Sequence, residues 1–147
     1  MIVLLILSIF KHFSNPNKLQ QVSKDSIFYP AKLSEIAHNN IDIITKYIKS
    51  QKENNINVIV LEHDAGIYML PLGINNYEFD MLLSGNLGYN GIQKTIDKIS
   101  KMSNTEFLIF TDENLVFWQS PKEIRKYVLD NLEKKGEILD YSIYFNK

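Results

Sequence analysis

Glu62, His63 and Asp64 are three ionisable residues in a row, placed where an apolar run gives way to Ala65-Gly66. If extended backbone persists that far, alternation points both carboxylates to one face and the imidazole to the other. Two carboxylates on one side can bind a cation or divide acid and base work between them. Asp80 and Asp112 join them only if the fold brings them in. The competing reading is a polar loop in which Asp64 caps the next turn. A second candidate is the loop at 84–91. There Gly85, Gly88 and Gly91, with Asn86 among them, stand between an apolar run and a helical pattern, as in a phosphate-cradling loop. The spacing is G-x-x-G-x-x-G, where a dinucleotide fingerprint needs G-x-G-x-x-G, and Lys94-Thr95 falls two residues too late for a P-loop. The plainer reading is a tight turn needing positive φ. Trp118-Gln119 before Pro121 either covers a hydrophobic edge or stacks on a sugar, packing being the simpler role. His12 and His38 have no ligand spacing to any other residue, and Ser84, Ser120 and Ser142 lack a nucleophile-elbow context. No catalytic motif is complete, and neither a metal site nor a cofactor is expected.

The elements that must position these residues can be read from periodicity. Ser34 has the character of an N-cap, and Leu33, Ile36, Ala37, Ile41, Ile44 and Ile48 follow at helical spacing to about Glu53. Residues 57–62, N-V-I-V-L-E, do not alternate and read as a strand buried on both faces. A short helix or turn at 67–72 is closed by Pro71 and Gly73, and a second strand is expected at 79–83. Asn90 and Gln93 form a capping box for a helix carrying Ile92, Ile96, Ile99 and Met102. Residues 106–111 read as a third strand. Ser120-Pro121-Lys122-Glu123 has the pattern of a capped helix start, and Lys134-Lys135-Gly136 that of its end. Residues 138–145 read as a final strand or hairpin. Strands alternating with helices predict a three-layer, Rossmann-like α/β sandwich, its sheet mostly parallel with room for an antiparallel edge strand. Ligands in such folds bind outside the carboxyl ends of the strands. Three loops should therefore meet there, at 62–66, 84–91 and 111–114.

Composition narrows the function. A chain of 147 residues with 45% hydrophobic and 22% charged residues has the size and balance of one folded domain. Net charge is −1 and Arg125 is the single arginine, which argues against a nucleic-acid partner. Without cysteine there are no disulfides, thiolate nucleophiles or Cys-based metal sites. Residues 1–10 are an apolar run followed by Lys11 and His12, too short to span a membrane and lacking a signal peptide's basic start and cleavage site. Three readings stand: the last turns of a membrane helix, a buried strand, or an interfacial anchor. The chain then divides into an apolar segment at 1–13, a linker at 14–30 and one α/β domain at 31–147.

Several further stretches resemble the soluble C-terminal domain of bacterial multi-spanning, glycosyltransferase-like membrane proteins, similar to protein mannosyltransferases. They are Asp64-Ala65-Gly66-Ile67-Tyr68 with Pro71-Leu72, Phe79-Asp80 with Gly85-Asn86-Leu87-Gly88, Trp118-Gln119 with Pro121, and the closing Gly136-Glu137-Ile138 with Tyr144. The resemblance covers most of the chain from the linker onward. It implies that the apolar start is the stub of a membrane helix. It also implies an accessory domain, membrane-associated and extracytoplasmic, near a lipid-linked sugar or its acceptor. The acidic catalytic residues of that class lie between membrane helices, so none transfers to this chain. Lys11, Lys18, Lys24 and Lys32 after the apolar run point to the opposite, cytoplasmic side. Two rival readings are a free-standing protein that binds a nucleotide, sugar or phosphate at the strand-end loops, and an interaction module with an apolar edge at Trp118 and Tyr144.

Overall fold

A computed structural model describes residues 19–21, 32–74, 76, 79, 82–87 and 91–147. The apolar segment, Asp80 and Gly88 lie outside these residues. A short antiparallel ribbon pairs β1 (Leu19–Gln21) with β2 (Lys32–Ser34). Helix α1 (Glu35–Glu53) starts where expected: the Ser34 side chain accepts the Ala37 N–H at 3.1 Å, satisfying one of the orphan donors of the first turn. Its end is a Schellman closure. Asn55 takes φ +58, and the Ile56 N–H returns to Gln51 O at 3.0 Å.

Then follow β3 (Asn57–Val60), α2 (Ala65–Met69) with a 3-10 turn at Leu70–Leu72, a second 3-10 turn at Ser84–Asn86, and α3 (Gly91–Lys101). Next come β4 (Thr105–Phe110), a 3-10 turn at Glu113–Leu115, α4 (Lys122–Asn131), β5 (Glu133–Ile138) and β6 (Tyr141–Asn146). The sheet order is β3-β4-β6-β5. Only β3–β4 is parallel; β4–β6 and β5–β6 are antiparallel, so the expected mostly parallel sheet is a mixed one. The cause is the second half of the chain, which closes with a hairpin and not with another helical crossover.

Alternation along β3 and β4 feeds two cores. Val58, Val60, Leu108 and Phe110 pack with Ile44 and Ile48 of α1 and with Ala65, Tyr68 and Met69 of α2. Ile59, Leu61, Phe107 and Ile109 pack on the other face with Ile99 of α3 and Ile124 and Val128 of α4. All six β4 residues are buried, as befits the strand flanked on both sides. Buried Glu106 is held by the Tyr47 hydroxyl of α1 at 2.5 Å.

Four local expectations change. Phe79, Leu82 and Leu83 are in no strand; Phe79 and Leu82 are buried in the second core, so their apolar character serves packing and not strand pairing. Ser120 does not cap α4; Pro121 occupies the N-cap position and no side chain caps it. Tyr144 is buried in that same core, so it provides no exposed edge. Lys134-Lys135-Gly136 is not a helix end but the middle of β5. Leu132 already turns extended (φ −108, ψ 156), and the hairpin with β6 overrides the weak strand propensity of Lys and Gly. That composition suits an edge: lysines and a register irregularity between Lys134 and Gly136 discourage further strand addition. The charges are paired within the chain, Lys134 with Glu137 at 2.6 Å and Lys135 with Glu133 at 2.8 Å.

The opposite edge is closed by a side chain. Asn76, 0% exposed, accepts the Val60 N–H at 3.1 Å and donates to the Val60 carbonyl at 3.0 Å. One amide thus satisfies both outward backbone groups of Val60, as a neighbouring strand would.

Candidate functional site

The strand-end segments come together in part, the glycine loop meeting the connection after β4 at Gln119, beyond the 111–114 turn. Leu61 extends the pairing of β3 one residue further, its N–H donating to Leu108 O at 2.9 Å, and the chain then turns, with the Ala65 N–H returning to Glu62 O at 3.2 Å. Ser84 joins the loop after β4: its N–H and its hydroxyl both donate to Gln119 O, at 3.0 and 2.9 Å. His63 packs between Phe110 and Phe117, ring centroids 5.7 and 5.5 Å away, and Phe117 lies 5.8 Å from Trp118.

The two carboxylates are not brought together. Because extended backbone stops before residue 62, alternation lapses and each finds separate partners. Glu62, 2% exposed, accepts the Phe110 N–H at 2.9 Å and a hydrogen bond from Arg125 Nη1 at 3.3 Å. Arg125 Nη2 donates to Phe110 O at 2.6 Å. The β3–β4 register sets position 62 opposite Phe110, so the Glu62–Arg125 pair replaces the missing strand neighbour at the end of β4. Burial pushes the Glu62 carboxyl up to about 7, against the pull of the Phe110 amide and the Arg125 guanidinium.

Asp64 belongs to the first core. Its Oδ2 accepts the Tyr141 hydroxyl at 2.5 Å and the Tyr68 hydroxyl at 3.2 Å. It sits at the N-cap position of α2, but its side chain makes no capping bond, which corrects the loop-and-cap reading. Burial raises the Asp64 pKa although both tyrosines and His63 favour the charged form; burial, then the nearby Asp64, raises Tyr68 as well.

In the described part of the glycine loop two amides are already engaged. Ser84 N–H is bonded to Gln119 and Asn86 N–H to Leu83 O at 2.8 Å, so neither amide is left for an anion. Gly85 and Asn86 are exposed, and Gly85 has ordinary φ with open space at its Cβ position; of the loop's described glycines, Gly91, at φ +56, fits the positive-φ reading. Asp112 bonds its own loop, accepting the Asn114 N–H at 2.8 Å, and does not join Glu62 or Asp64. Among the described residues no His, Asp and Glu cluster could hold a metal ion.

A small cleft remains, lined by Leu61, Glu62, Ile109, Ser120, Lys122 and Arg125, with room for about one water molecule. That is too little to enclose a nucleotide or a sugar. Comparison with known protein families, curated proteins and solved structures finds no match. Sequence reasoning missed Arg125, Tyr141 and Asn76. The one available signal was Arg125 itself, a single arginine in a lysine-rich chain, since a planar fork suits a buried carboxylate better than an ammonium does.

Proposed function

We propose that this chain is an accessory, non-catalytic α/β domain of a membrane-associated, glycosyltransferase-like protein. It would stand near a lipid-linked sugar or its acceptor on the extracytoplasmic side. The finer architecture we propose is a three-layer, Rossmann-like sandwich, because each face of the sheet carries its own pair of helices. One observation carries the non-catalytic reading. Glu62 and Asp64, the strand-end carboxylates best placed for acid–base work, both answer to internal partners, and the cleft beside Glu62 takes about one water. Groups that an enzyme would turn on its substrate here complete the sheet and the core.

Membrane association rests on residues 1–10. No helix among the described residues is long and apolar enough to cross a membrane, so the contact would fall to this run. Flotation with phospholipid vesicles tests it. The chain is expected to rise with the vesicles, and a variant with Leu4→Asn, Leu5→Asn and Ile6→Asn to stay in the dense fractions with its fold intact by circular dichroism. A parent chain that stays in the dense fractions, or a variant that floats equally well, would refute the membrane contact.

A further inference from the structure

The face at the carboxyl end of the sheet combines an uncovered aromatic ring with an excess of carboxylates over cations. Trp118 is 78% exposed. Its turn is nevertheless tied down: Ser120 N–H donates to Phe117 O at 2.8 Å, and Gln119 O takes both hydrogen bonds from Ser84. The indole leans on Phe117, which in turn packs on His63 and so on Phe110 of β4. A large ring held in place yet open to water is the pattern of a recognition anchor.

The same connection carries Asp112 and Glu113, both exposed, and no basic residue between Thr111 and Pro121. Asp140 reaches this end too, its carbonyl accepting the Thr111 N–H at 2.8 Å. Arg125 is largely buried against Glu62, and its Nε also stands 4.0 Å from the exposed Glu113 carboxylate, so one guanidinium faces two carboxylates and Lys122 is the exposed cation at the start of α4. Such a surface repels phosphates and anionic lipid and favours positive charge. We infer that Trp118, Asp112 and Glu113 form a docking point for a polypeptide segment bearing lysine or arginine. The cation lies over the indole face and pairs with the carboxylates. This holds whether or not residues 1–10 touch a membrane.

Trp118 is the only tryptophan, so intrinsic fluorescence reports on this place alone. The chain is titrated at low ionic strength with oligolysine, and separately with oligoglutamate, a neutral oligosaccharide and anionic vesicles. Oligolysine is expected to shift the emission saturably, with an affinity that falls as salt is added. The double variant Asp112→Asn, Glu113→Gln keeps the probe and the Asp112 turn acceptor, and should bind about tenfold more weakly. Silence toward oligolysine, or equal binding by the double variant, would overturn the proposal. A response to oligosaccharide or vesicles in place of oligolysine would also overturn it, reassigning the ring to sugar stacking or to lipid.

Discussion

Replacing Asn76 by Ala is expected to lower stability by about 2–4 kcal/mol. The side chain is fully buried and meets the Val60 N–H and carbonyl together. Alanine removes both partners and supplies none, so two backbone groups stay desolvated and unsatisfied, which costs more than an average lost hydrogen bond. In a domain of this size the melting temperature should fall by roughly 5–15 °C. Asn76→Asp separates the two bonds. A carboxylate still accepts from Val60 N–H but faces the Val60 carbonyl with no proton to give. It should therefore be as damaging as alanine at pH 8, and milder at low pH, where a protonated acid can donate. Urea unfolding at the two pH values reads this directly. A loss below about 0.5 kcal/mol for Asn76→Ala, within the range of ordinary surface changes, would show that this edge is closed in another way.

The second large effect is expected at Arg125. Arg125→Met should cost about 3–5 kcal/mol at pH 8, because it leaves Glu62 buried without its counter-charge and Phe110 O without its donor. The cost should shrink toward pH 5.5 as Glu62 takes up a proton. The parent chain should show a related slope. The Glu62 carboxyl stands at about 7 in the fold and near its ordinary value of 4.5 when unfolded, so the folded state holds the proton more tightly in between. Stability from this group is therefore full below pH 4.5 and is lost as pH rises through 7, up to about 3 kcal/mol in all. Asp64 adds a slope of the same sign, since its pKa is also raised. The difference between the parent and Glu62→Gln isolates Glu62: the variant should be flatter between pH 5 and 8. Equal slopes in the two chains would mean that Glu62 stays ionised throughout, held by Arg125 more strongly than burial opposes it.

These two sites also mark what the sequence could and could not reveal. Signals carried by neighbours along the chain were legible. Ser34 three residues before Ala37 foretold a cap, and the spacing of Ala37, Ile44 and Ile48 foretold the buried face of α1. The unbroken apolar runs at 57–62 and 106–111 became the parallel pair β3 and β4, with β4 inside the sheet and β3 at its edge. Glycine and polar clusters after apolar runs located the turns at 62–66 and 84–87, the first tied to the end of β4 and the second to the connection that follows it. What stayed hidden depends on partners far apart in sequence. Asn76 is 16 residues from Val60, Glu62 is 63 from Arg125, and Asp64 is 77 from Tyr141. No local pattern says that an amide will stand in for a strand, or that a carboxylate pair will divide between two cores. The β5 strand was hidden for a related reason: its lysines and glycine carry little strand preference, and pairing with β6 decides.

The most direct test of the accessory-domain reading is an immunoblot of native cells, with membrane and soluble fractions side by side and an antibody raised against residues 32–147. The account predicts a band in the membrane fraction, much larger than the 17.1 kDa of this chain. A band near that mass in the soluble fraction alone would contradict it.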